Sequence, residues 1–161
     1  MQEPALKFIA DAMLGRLAKR LRLKGFDVLY DPRMDDNVII QRSLEEGRII
    51  LTRDTALASR PLASRCILLQ SDRIDDQLDQ LRTFLRSDEP PCALTRCSRC
   101  NVVLDEISRE EARDQVPDHV FVTRTTFFRC RDCARVYWEG SHVKNMGLVP
   151  AQKKKGRSTR D

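Results

Sequence analysis

Three aspartates each close a short apolar run: Phe8-Ile9-Ala10-Asp11, Ile49-Ile50-Leu51-Thr52-Arg53-Asp54 and Ile67-Leu68-Leu69-Gln70-Ser71-Asp72. Such runs, partly β-branched, read as short buried strands. In a parallel sheet their carboxyl ends share one edge, where open α/β sheets bind ligands. Carboxylates gathered there oppose one another's ionisation unless a cation lies among them. Mg²⁺ or Mn²⁺ suits such a donor set, because both take hard oxygen ligands and retain several waters. A metal-bound water is a better nucleophile, and the metal stabilises charge on the leaving oxygen. The chemistry implied is metal-dependent hydrolysis of a phosphodiester. One aspartate after a strand is most often just the N-cap of the next helix. Three of them, with Asp35-Asp36 opening a further helix, point to a site.

Competing chemistries find little support. The only histidines, His119 and His142, lie far along the chain, so no Ser-His-Asp or Cys-His arrangement is indicated near the acids. A haloacid-dehalogenase type of phosphatase wants an acid two positions after Asp11, where Met13 stands. Six scattered glycines make neither a P-loop nor a dinucleotide fingerprint.

A second chemistry lies in Cys97-Ser98-Arg99-Cys100 and Cys130-Arg131-Asp132-Cys133, which bracket 29 residues. Each pair sets two sulfurs on one tight turn, and two turns close a tetrahedron around Zn²⁺. Four thiolates leave no open coordination position, so the zinc is expected to be structural. His119 or His142 could replace a ligand, but four cysteines suffice. Cys66 falls in a strand and reads as core; Cys92 reads as a free thiol.

These groups need elements to hold them. Lys7–Ala10 is followed by a helix over 12–24, with Leu14, Leu17, Ala18 and Leu21 at helical spacing and Gly25 as its stop. Its other faces carry Arg16, Lys19, Arg20, Arg22 and Lys24 without an acid, either a solvated face or a phosphate-backbone contact. Val28–Tyr30 is the second strand. A helix from Asp35 or Asp36 to about Glu46 has Ile39, Ile40 and Leu44 inside and Gly47 at its end. Ile49–Leu51, a short helix over 55–60, Cys66–Gln70 and a helix over 74–85 follow. The last is apolar at Ile74, Leu78, Leu81, Phe84 and Leu85. This β-α order repeated four times implies a short parallel sheet with helices on both faces. After the linker-like Ser87-Asp88-Glu89-Pro90-Pro91 the character changes. Ser108-Arg109-Glu110-Glu111 is a capping box, and Phe127-Phe128 and Val136-Tyr137-Trp138 suggest a hairpin around the second cysteine pair.

With 161 residues, 41% apolar and 33% charged, the chain is of globular type. Its net charge of +5 is unevenly placed. From Ala151 onward five basic residues face only Asp161, a net +4, leaving the first 150 residues at +1. Affinity for nucleic acid must therefore come from local patches or the tail. No run reaches membrane-span length, and Glu3, Lys7 and Asp11 interrupt any signal-like apolar stretch. A cytoplasmic location is expected, where thiols stay reduced and cysteine pairs favour metal.

Several of these stretches, taken together, resemble one family. They are Phe8 to Ala18, Asp35-Asp36, Glu46 to Asp54, the two cysteine pairs, and Val136-Tyr137-Trp138-Glu139-Gly140-Ser141-His142. The family is the PIN-like ribonucleases named for the C-terminal domain of the Mut-seven exonuclease, with a fused zinc ribbon. The resemblance covers about residues 6–146. It implies a PIN-like α/β nuclease domain over 1–86 and a zinc ribbon over 96–147; composition sets a linker over 87–95 between them and a basic, disordered tail over 148–161 after them. It further implies an endonuclease that hydrolyses RNA with Mg²⁺ or Mn²⁺. Asp11, Asp54 and Asp72 match the first, third and fourth acids, and Asp36, 18 residues before Asp54, the second, with Asp35 as the alternative. Cys97, Cys100, Cys130 and Cys133 match the zinc ligands. Arg16, Lys19 and Arg20, the ribbon and the tail would hold RNA. The competing expectation is a non-catalytic adaptor that binds RNA or protein with a silent acidic pocket.

Overall fold

The computed structural model describes residues 5–82, 84–85 and 94–140. Cys92, His142, most of the expected linker and the basic tail lie outside them. Strands β1 (Lys7–Ala10), β2 (Asp27–Leu29), β3 (Ile49–Thr52) and β4 (Cys66–Leu68) form a parallel sheet in the order β2-β1-β3-β4. Helices α1 (Gly15–Leu23), α2 (Asp36–Glu46), α3 (Thr55–Ala58) and α4 (Ile74–Arg82) alternate with them, and a 3₁₀ turn, Ala12–Leu14, leads into α1.

The pleat assigns the faces. Phe8, Ala10 and Leu51 pack with Leu14, Leu17 and Leu21 of the α1 region and Leu81 of α4. Ile9 and Ile50 turn the other way, onto Ile39 and Ile40 of α2 and Leu57 of α3. With helices on both faces, the central strands are apolar throughout rather than alternating. Gly47 ends α2 at φ +66°, in the left-handed region where a side chain would cost about 1–2 kcal/mol. Two expected core residues are exposed. Leu44 is 54% exposed because Ser43 takes the inward position and donates its hydroxyl to the Arg48 carbonyl at 2.6 Å. Phe84 is 51% exposed because α4 ends at Arg82, before its inward stripe reaches it.

The strand order creates a crevice. From β1 the chain leaves through α1 to β2 on one side; from β3 it leaves through α3 to β4 on the other. Since α1 and α3 cover opposite faces, the loops after β1 and β3 diverge at their carboxyl ends. This is the topological switch point at which open α/β sheets take ligands.

A second sheet, antiparallel in the order β5-β6-β7, is built from Asp105–Ile107, Phe127–Arg129 and Val136–Trp138. Phe127, Ile107, Ala112, Val116 and Val120 form its core. The capping box at Ser108 and Glu111 opens α5 (Arg109–Ala112) as its sequence requires. Helix α6 (Asp118–Thr123) is not evident in the sequence, because Val120, Val122 and Thr123 have strand-like propensity. Packing of Val120 against Phe127 overrides that preference.

The two sheets are joined at β2. Arg22, only 5% exposed, donates from Nε to the Val28 carbonyl and from Nη1 to the carbonyls of Ser98 and Arg99. It therefore leaves the solvated stripe on which helical spacing had placed it. Asn101 accepts from the Val28 N–H at 3.0 Å and donates to Asp27 at 2.8 Å. Asp27 in turn receives the buried Arg48, which also donates to the Phe8 carbonyl. Among the described residues no helix is long and apolar enough to cross a membrane.

Candidate active site and cysteine cluster

Asp11 is the residue after β1, 8% exposed, and its backbone N–H continues the sheet by donating to the Leu51 carbonyl at 3.0 Å. Its Oδ1 accepts from the Ala12 N–H, capping the 3₁₀ turn. Its Oδ2 accepts at 2.8 Å from the hydroxyl of Thr52, which is wholly buried at the end of β3. The same hydroxyl oxygen accepts from the Asp54 backbone N–H at 2.9 Å. Thr52 therefore ties the loops carrying Asp11 and Asp54 together across the switch point. Asp54 is half-buried and caps α3 through the N–H groups of Ala56 and Leu57.

The other acids stand further out. Asp35 caps α2 through Asn37 and Val38 N–H. Asp36 lies in the first turn of α2, paired at 3.3 Å with Arg60, which also donates to Asn37 at 2.7 Å. Asp72 is exposed in the loop after the edge strand β4. Among the described residues, no three carboxylates draw their oxygens as close together as the cysteine sulfurs. Arg53 is exposed.

Thr52 is the residue whose role pattern reading missed. Its signal was modest: a threonine at the end of an apolar run, two residues before an acid. Tyr30 is a second case. Its hydroxyl donates to the Ala12 carbonyl at 2.9 Å, beside Asp11. A Cβ on Gly15 would stand 2.6 Å from that oxygen, so a larger residue there would displace the Tyr30 ring.

The four paired cysteines meet. The sulfurs of Cys97, Cys100, Cys130 and Cys133 all lie within 4.8 Å of one another, and Cys97 Sγ is 3.7 Å from Cys133 Sγ. A tetrahedron with Zn–S bonds of about 2.3 Å has edges of about 3.8 Å. The cluster could thus hold a metal such as zinc. The two turns match in detail. Asn101 N–H donates to the Cys97 carbonyl and Ala134 N–H to that of Cys130, and both residues have positive φ, +66° and +59°. Burial raises the Cys97 thiol, but hydrogen bonds from the Tyr137 hydroxyl and the backbone around Arg99 and Cys100 outweigh it and bring it to about 7. Burial, with Cys133 and Cys97 adjoining, pushes Cys100 up to about 12. Thiols so placed resist joint ionisation, the condition that a dication relieves.

A comparison with curated proteins and one with solved structures both yield no match. A family model described as Mut7-C RNAse domain matches residues 6–149, most of the chain and both sheets. The chain belongs to this nuclease-like family, the Mut7-C RNAse domain family.

Proposed function

We propose that the protein is a metal-dependent endoribonuclease whose centre is the crevice between β1 and β3. The observation that supports this best is the Asp11–Thr52–Asp54 linkage at the switch point. One buried hydroxyl bonds the Asp11 carboxylate and the Asp54 backbone N–H, and two oxygen-donor acids at one edge suit Mg²⁺ or Mn²⁺, which need few protein ligands and keep several waters. When bound, that ion would activate water and offset charge on the leaving oxygen. Asp11 and Asp54 would hold it. Asp36, with Asp35 as the alternative, and Asp72 would act at its periphery or through water. Thr52 fixes the Asp11 carboxylate by donating to Oδ2, leaving that oxygen a further lone pair for a cation. Arg16 near the start of α1, with Lys19 and Arg20 further along it, would hold the substrate's phosphates. Zinc on the four cysteines would brace the second sheet.

The test is cleavage of single-stranded RNA with Mn²⁺, after chelation, and after restoring Mn²⁺ alone. Asp54→Asn is the decisive variant, because asparagine caps a helix about as well as aspartate. Its thermal unfolding should match the parent's while cleavage falls by about a hundredfold or more. If Asp11→Asn and Asp54→Asn both cleave like the parent, the site is wrongly placed. If the parent binds RNA but never cleaves it, the protein is an adaptor.

A further inference from the structure

Helix α1 packs against α4, and their meeting leaves a groove of about 530 Å³. Arg16, Lys19 and Arg20 line it from α1, Arg73 from the start of α4, and Ser98 from the first cysteine turn. Among the described residues, none of these four cations has a side-chain hydrogen bond or an ion pair. By contrast Arg33, Arg42, Arg60 and Arg82 each face a carboxylate. Close by, burial first and repulsion from Arg82 and Arg20 second hold the Lys24 ammonium below its usual range.

We infer that this groove is the track that holds the backbone of single-stranded RNA on its way to the acidic edge. The inference rests on the ribonuclease reading and extends it with a second wall, a direction and a strand preference. The direction comes from topology. Arg16 lies five residues after Asp11, and Arg73 directly follows Asp72, so both stand at the carboxyl edge of the sheet. Lys19, Arg20 and Leu23 descend α1 by about 10 Å towards the cysteine turn. An acidic crevice repels a polyanion, so affinity has to come from cations beside it.

The lining also restricts what is read. Its described residues include no aromatic ring and no side-chain amide. It therefore offers no aromatic platform for stacking bases, and its four cations favour contact with phosphates. Packed helices stand about 8–10 Å apart, too close to admit a double helix between them. Asp75 is the one acid in the lining and opposes binding.

The experiment measures binding of a labelled uridine oligonucleotide to the full chain, without added Mg²⁺ or Mn²⁺, across salt concentrations. Each single-strand phosphate contact contributes about 0.7 to the slope of log affinity against log salt, or about fourfold at 0.15 M. Arg73→Gln should lose about that much in affinity and in slope, and Arg16→Gln with Arg73→Gln about twice the slope. Asp75→Asn should tighten binding, a gain that misfolding does not produce. Arg42→Gln, an exposed cation on α2 outside the groove, should match the parent. The groove is overturned if Arg73→Gln keeps the parent's affinity and slope, if Arg42→Gln loses as much, or if duplex RNA binds as tightly as the single strand. In those cases cleavage lost in Asp54→Asn would still support the ribonuclease reading. A parent that binds no RNA overturns the groove, and the Mn²⁺-dependent cleavage test then decides the ribonuclease reading by itself.

Discussion

Replacing Thr52 with valine keeps the shape of a wholly buried side chain and removes one hydroxyl. That hydroxyl makes two bonds, donating to Asp11 at 2.8 Å and accepting from the Asp54 N–H at 2.9 Å. A hydrogen bond to a charged group contributes about 1.5–3 kcal/mol, and an unpaired buried N–H costs about 1–3 kcal/mol. The added methyl returns about 0.8 kcal/mol at most. Thr52→Val should therefore destabilise the protein by about 2–4 kcal/mol. With a urea dependence of about 2 kcal/mol per molar, the middle of the usual range, the unfolding midpoint should fall by about 1–2 M. Domains of this size have about 5–15 kcal/mol, so the variant should remain folded. Thr52→Ser is the control. It keeps the hydroxyl, loses one methyl at about 1 kcal/mol, and should retain cleavage. Urea titrations and Mn²⁺-dependent cleavage of single-stranded RNA are the assays, with kcat falling more than KM changes for valine. Equal midpoints for the valine and serine variants, with equal kcat, would refute the role given to Thr52.

Three further expectations follow from the cysteine cluster and the seam between the sheets. Cys130→Ser should reduce bound zinc from about one ion per chain, by elemental analysis, and lower the melting temperature, because each closed structural site needs all four ligands. Ala134→Gly should stabilise by about 0.5–1 kcal/mol in thermal or urea unfolding, since φ +59° is costly for alanine and not for glycine. Burial raises the Asp27 carboxyl, but hydrogen bonds from Arg48 and Asn101 outweigh it and hold it below its usual 3.8. A carboxylate depressed in the folded state stabilises above its unfolded pKa and loses that contribution as the pH falls through the folded one. The parent should thus exceed Asp27→Asn by about 1–2 kcal/mol at pH 6, allowing for screening, and the gap should close below about pH 4 in urea titrations.

Local pattern was enough for most of the elements. The apolar runs at Phe8–Ala10 and Ile49–Leu51 and the spacing of Leu14, Leu17 and Leu21 each specify a strand or helix through nearest neighbours alone. Two Cys-x-x-Cys turns announce a four-sulfur cluster because their geometry is set within four residues. Where pattern failed, a specific hydrogen-bond or packing partner outside the periodic stripe had changed the outcome. Arg22 has the spacing of a surface cation, yet the carbonyls of Val28, Ser98 and Arg99 draw it inward. Leu44 has the spacing of a core residue, yet Ser43 holds the inward place through Arg48. Helix α6 forms against its local propensity because Phe127 needs a cover.

Periodicity and spacing alone were enough for the strands and helices of the parallel sheet, for Asp11 and Asp54 at the ends of two runs, and for four sulfurs ready in pairs. Only the tertiary structure decided that β1 and β3 are neighbours with diverging loops, that a single threonine hydroxyl bridges the two aspartates, and that Arg73 faces Arg16 across a groove. The physical reason is range. Periodicity reports forces between residues a few positions apart, whereas the Asp11–Thr52 bond spans 41 positions and exists only once the sheet has chosen its order.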